Sequence, residues 1–220
     1  MTNYAKPRRA FFSAGVRGIG FCLCLAVILL QPTMGRSAID DQSARAFIEG
    51  LADTAIAALT PPDVPQAERE ARAKQLLRDN FAIETIGQFV LGRYWRTATA
   101  DERAEYLRLF EELIVSTYVD RFKRYTGQRL KVTGSTDQPD GDVLVNSEIE
   151  RAGGGTPVAI GWRVRDLEGR LQIVDVNVEG VSMGQTQRSD FSSVIRNTGG
   201  TVAGLLDEMR KRIRNNANAG

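Results

Sequence analysis

"VAIGWRVRDLEGRLQIVDVNV", residues 158–178, decides the fold. Val158, Ile160, Trp162 and Val164 alternate with polar or small residues before a short break, and Val174, Val176 and Val178 alternate after it. A period of two places each series on one face of a strand. "DLEGR" between them has turn composition, so the two strands are expected to pair antiparallel with one apolar and one solvated face.

The same pattern extends upstream. Val143, Val145, Ser147 and Ile149 share a face, and Leu130, Val132 and Gly134 alternate before them. "TDQPDGD" and "RAGGG" separate these runs. The Gly153–Gly155 triplet lacks the flanking residues of a phosphate-binding loop and reads as a hairpin turn. The expectation is an α+β fold on a curved antiparallel four-stranded sheet, whose single apolar face needs a helical cover.

The clearest helix is "TATADERAEYLRLFEELIVSTYVDRFKRYTG", residues 97–127. Thr99 and Glu102 are spaced as a capping box, and Tyr106, Phe110, Leu113, Ile114, Tyr118 and Phe122 follow at helical spacing. This helix is the expected cover of the sheet. Earlier, residues 43–59 read as an amphipathic helix ended by "TPPDVP", residues 66–78 as a charged helix, and residues 81–91 as an apolar one stopped by Gly92. At the other end, Phe191, Val194 and Ile195 make one short helix, and Val202, Leu205, Leu206, Met209 and Ile213 a longer one. Gly199 and Gly200 break them apart, Ser189 or Asp190 is the expected cap of the first, and "NNANAG" reads as a frayed tail. Arg188 has two readings: a pair with Asp190, or a contact to a phosphate.

The N-terminus is organised differently. Lys6, Arg8, Arg9 and Arg17 precede "IGFCLCLAVILL" (residues 19–30), with Gly35 and Ser37 beyond. A basic start, a short apolar run and small residues before a cut describe a signal peptide of residues 1–37, with a retained anchor as the alternative. "RRAFF" leaves the twin-arginine route open beside general secretion. Residues 38–220 are then one domain, helical over 40–126, a sheet over 129–186 and helical again over 189–214. Cleavage takes five basic residues and no acidic one, moving the formal charge from +2 to −3. It also removes Cys22 and Cys24, the chain's two cysteines. A slightly acidic mature chain has no electrostatic footprint for nucleic acid.

Candidate chemistry is sparse. Gly180-Val181-Ser182-Met183-Gly184 matches the nucleophile elbow of hydrolases, but the chain has no histidine to take the serine proton. "VEGVSMGQTQ" is expected to continue as a strand beside a glycine bulge, without turning into a helix. Asp175, Asn177 and Glu179 form one polar stripe, as any half-solvated strand does, and a cation site needs oxygens from several segments. No metal site and no cofactor is expected. The apolar series on strands and helices leave two possibilities open, a filled core and a cavity.

"LGRYWR" (residues 91–96), "VEGVS" (178–182) and "QRSDF" (187–191), the last ahead of Gly-Gly and a terminal helix, resemble the MlaC family of toluene-tolerance phospholipid-binding proteins. The resemblance runs from about Phe81 to Arg214, with Gln187 where many members have tyrosine. It implies a nuclear-transport-factor-like curved sheet with helices folded against it, enclosing a lipid cavity. It also implies a non-enzymatic periplasmic carrier that moves phospholipid between outer and inner membranes, or hopanoid-linked lipid in a related branch. The implied partners are an inner-membrane Mla-type ABC transporter complex and an outer-membrane lipoprotein with a porin. A rival reading is a periplasmic adaptor with a filled core.

On this resemblance the cavity would be lined from the sheet by Val145, Ile149, Ile160, Trp162, Val164 and Val174. Phe110, Ile114 and Tyr118 would line it from the cover helix, with Phe89, Phe191 and Ile195 closing an end.

Overall fold

The protein is described by a computed structural model covering residues 39–123, 128–151 and 154–219. All of these belong to one compact unit; the expected signal peptide lies outside them. The first half is helical: α1 (Asp41–Leu59), α2 (Gln66–Asn80), α3 (Ile83–Leu91), the single turn α4 (Tyr94–Thr97) and α5 (Ala100–Lys123). Strands β1 (Leu130–Asp137), β2 (Val143–Ile149), β3 (Val158–Leu167), β4 (Arg170–Val178) and β5 (Val181–Ser182) follow. Helices α6 (Met183–Asn197) and α7 (Val202–Ala219) close the chain.

The sheet is antiparallel, in the order β1-β2-β3-β4-β5. It has five strands where alternation predicts four. The fifth arises from Glu179-Gly180, whose φ angles of 51° and 80° join Val178 directly to Val181. Two consecutive positive φ values are the type I′ hairpin geometry that matches strand twist. Glu168 and Gly169, at 58° and 83°, join β3 to β4 in the same way. The expected glycine bulge at Gly180 is therefore a hairpin turn.

A bulge does occur one strand-length earlier. Arg163 pairs with Asp175 but Val164 with Ile173, so Val174 is the extra residue. Ile173 is fully buried in its place, and the strand bends there, as bulged strands do. A second irregularity between Val132 and Gly134 brings Ser135, not Gly134, opposite Val145.

The cover is a different helix from the expected one. Ala44 and Ile48 of α1 pack on Val143, Val145, Val164 and Ile173, with Trp162 and Val176 at the margin. Each fully buried side chain of this size contributes roughly 1.5–3 kcal/mol. Helix α5 instead sits among α2, α3 and α7, where Tyr106, Leu109 and Phe110 meet Val90, Phe191, Ile195, Leu205 and Met209. Its capping box forms as read: the Glu102 amide donates to Thr99 Oγ1 (3.2 Å) and the Thr99 amide to Glu102 Oε2 (2.8 Å).

Helix α1 is fixed at both ends. Asp40 caps its start, accepting from the Ser43 amide and hydroxyl at 3.0 Å each. At its C-terminus the buried Arg69 donates to the carbonyl oxygens of Leu59, Pro61 (3.0 Å) and Val64 (3.1 Å). A cation there meets the negative end of the helix dipole and satisfies carbonyls left over by the helix.

Candidate lipid cleft

Helices α5, α6 and α7 leave a cleft of about 330 Å³ between them. Phe110, Leu113 and Ile114 make its apolar wall, and Thr117, Gln187, Arg212, Asn215 and Asn216 its polar rim. Asn215 and Asn216 belong to the stretch expected to fray. They are helical because α7 runs on to Ala219, and Asn216 Nδ2 donates to Ser116 Oγ at 3.2 Å.

Behind the wall lies an aromatic cluster. The Tyr106 and Phe110 rings stack at 5.7 Å, and Phe191 meets both edge-on at 6.2 and 6.4 Å. The Tyr106 hydroxyl donates to the Gly87 carbonyl (3.1 Å), and burial pushes its pKa upward, so it is a neutral donor. α3 reaches this close because residue 87 is glycine: a Cβ there would stand 2.6 Å from Leu107 Cδ2.

The structure divides the residues expected to line one cavity into separate groups. Phe110 and Ile114 border the cleft, and Phe191 and Ile195 pack directly behind it. Val145 and Val164 are fully buried against α1, on the sheet side. Trp162 joins that group at its edge, its Nε1–H donating to the Ser147 hydroxyl (2.9 Å), which donates on to the Ile160 carbonyl (3.2 Å). Ile149, Ile160 and Val174 are half-buried strand residues. Phe89 is 43% exposed, with the Arg188 guanidinium over its ring. Tyr118 lies on α5, but its side chain is outside the described residues.

Ser182 is also not where strand continuation puts it. The chain does turn at once from β5 into α6, the strand–turn–helix shape of an elbow. Yet Ser182 is the N-cap: its Oγ accepts from the Gln185 amide (3.0 Å) and donates to Asp175 Oδ2 (2.6 Å). Asp175 Oδ1 in turn accepts from the amides of Gly184 and Val176. This makes Ser182, not Ser189 or Asp190, the cap of α6, with Asp175 tying the helix start to β4.

On the opposite side of the sheet from α1, Asp142 is buried between Arg163 and Arg165, at 2.6 and 2.7 Å. Asp140 closes the group onto both arginines. Burial pushes the Asp142 pKa up, but the hydrogen bonds from Arg165 and Arg163 outweigh it and hold the carboxyl below its usual value. Among the described residues no cluster of potential metal ligands forms, and no helix is long and apolar enough to cross a membrane.

A family model described as "MlaC protein" matches residues 49–211, most of the chain. The chain belongs to the MlaC family. It is 24% identical over 132 residues to the Haemophilus influenzae intermembrane phospholipid transport system binding protein MlaC. That match spans 59% of this chain and 61% of the relative. The fold is similar to that of a phospholipid-binding protein from Ralstonia solanacearum solved in complex with a phospholipid. The TM-score is 0.69 at 24% identity, covering 79% of this chain and 98% of the other.

Proposed function

We propose that this MlaC-family chain is a non-enzymatic phospholipid carrier that buries acyl tails beside the apolar wall of the α5–α6–α7 cleft. The observation carrying this reading is Phe110, Leu113 and Ile114 facing a cleft with a polar rim, in a fold shared with a phospholipid-bound protein. Each methylene kept from water is worth about 0.8 kcal/mol, so one long acyl chain gains on the order of 12 kcal/mol by burial. Such a ligand crosses water only if its tails are covered. Tail burial also has no direction, so a carrier releases its cargo to any acceptor offering a comparable apolar site.

The cleft volume sits at the lower end of ligand pockets, which run to about 1,000 Å³. A two-tailed lipid needs more room, and on this reading it comes from a movement of α7 that breaks part of its packing on α5. It joins α6 through Gly199 and Gly200, whose φ angles of 85° and 77° suit glycine, and is latched to α5 by Arg210 and Asn216. Lipid enters as α7 tilts about that joint.

On this reading residues 1–37 are removed on export, and the mature chain works in the periplasm between an inner-membrane Mla-type ABC transporter complex and an outer-membrane lipoprotein with its porin. No cofactor takes part; phospholipid is cargo. Mass spectrometry of lipid extracted from protein purified from cells tests it. Stoichiometric phospholipid is expected. Recovery of no lipid points to an adaptor with a filled core, and recovery of a hopanoid in its place moves the chain to that branch.

A further inference from the structure

We propose that Arg188 is an anion-binding group for the phosphate of a phosphate-bearing ligand. Arg188 lies four residues after Gly184 and three before Phe191, so it is half-buried on the face of α6 that carries those two buried residues. A half-buried guanidinium is partly withdrawn from water and is commonly paired. Several other arginines have a carboxylate partner, Asp142 for Arg163 and Arg165, Glu105 for Arg210 and Glu111 for Arg78, while Arg69 and Arg103 bond to backbone carbonyls instead. Among the described residues no carboxylate lies within ion-pair distance of Arg188. Asp190 forms no pair with it, and both oxygens of Asp175, nearby at the start of α6, are committed to Ser182, Gly184 and Val176.

What holds Arg188 is a seat without a counter-charge. Its Cζ lies 5.1 Å from the centre of the Phe89 ring. Gly92 makes the other wall, where a Cβ would stand 3.0–3.1 Å from the guanidinium. A guanidinium stacked on a ring keeps its N–H edges in plane and free to grip two oxygens of a phosphate. Arg93, next to Gly92, is exposed and also lacks a carboxylate; it stacks on Tyr94 and donates to its hydroxyl at 2.8 Å. Arg93 is thus a second arginine without a carboxylate partner, one residue from Gly92. Gln187, the residue before Arg188, lines the cleft.

A lipid headgroup and free phosphate share the chemistry this seat accepts, and the headgroup assignment rests on the carrier reading above. The test compares phosphatidylglycerol with diacylglycerol of identical acyl chains, as competitors on the delipidated full-length exported protein. The wild type is expected to hold phosphatidylglycerol about tenfold tighter, the scale of a charge-assisted pair. Arg188→Gln should abolish that preference and leave diacylglycerol affinity unchanged. Equal affinities in the wild type, or an undiminished preference in R188Q, overturn the proposal and leave the carrier reading standing. If the wild type binds neither lipid, the carrier reading fails, and inorganic phosphate becomes the deciding probe. The NMR signal of the Arg188 Nε–H in the wild type, assigned with R188K, should then shift with phosphate and not with chloride of equal ionic strength. No shift with either phosphate source overturns the site, and this arm does not depend on R188Q folding.

Discussion

Arg210 of α7 grips Glu105 of α5 through two hydrogen bonds, Nε to Oε1 at 3.0 Å and Nη2 to Oε2 at 2.7 Å. Hydrogen bonding to Glu105 raises the Arg210 pKa above its ordinary value. Both side chains are partly in water, where such a pair adds little to global stability. Its role is local. Arg210→Ala should leave thermal stability nearly unchanged and speed lipid transfer to acceptor vesicles several-fold, read by a fluorescent phospholipid. Unchanged transfer would show that α7 is not the moving element.

The second prediction concerns the joint itself. Gly204 packs against the end of α6, where a Cβ would stand 2.7 Å from the Thr198 carbonyl oxygen. Backbone cannot yield as a side-chain tip can, so Gly204→Ala should cost about 1–3 kcal/mol in denaturant unfolding. Stability equal to wild type would mean that the two helices have room to separate at rest.

Cleft and sheet residues should respond differently to a charge. Ile114→Asp places a carboxylate on the cleft wall and should eliminate co-purified lipid while helix content is kept. Val145→Asp puts the same charge in the fully buried sheet cluster and should unfold the protein. Trp162→Glu, at the margin of that cluster, tests whether the cavity extends to the sheet. Circular dichroism and lipid extraction on the three variants separate the outcomes. A folded, lipid-loaded I114D would remove the cleft from the binding site.

Acid should weaken the protein through Asp142. Its folded pKa lies below the unfolded value of about 3.9, so the stabilisation is complete above that pH and disappears as the pH falls through the folded value. Asp40 adds to the same trend, because the Ser43 hydroxyl and amide lower its pKa. Asp142→Asn should cost about 2 kcal/mol at neutral pH, discounted for the partial exposure of both arginines, and flatten the acid limb of the stability curve. An acid limb as steep as in the wild type would place the titrating group elsewhere.

Ser182→Ala should destabilise by about 1 kcal/mol, the usual worth of a helix cap. Because Ser182 and Asp175 share one network, the double variant with Asp175→Ala should cost less than the two single changes added together, measured by urea unfolding. Full additivity would mean that the two residues act on α6 independently.

Local chemistry alone determined much of this protein. Alternation marked β2 and β3, Thr99 with Glu102 marked the start of α5, and Gly92 and Gly199-Gly200 marked helix ends, because period, capping and positive φ are properties of a few adjacent residues. Tertiary structure decided the rest. One extra residue at Val174 exchanged the buried side of β4 to Ile173, and pairing across the Glu179-Gly180 turn ended the sheet at Ser182 and began α6 there. Amphipathic faces do not name their partners: α1 and α5 both have apolar stripes, and competition for the sheet gave it to α1 and left α5 to wall the cleft. Arg188 was visible as a charge in the sequence. Only the fold, by setting Phe89 and Gly92 against it and Asp190 out of reach, left that charge without a partner.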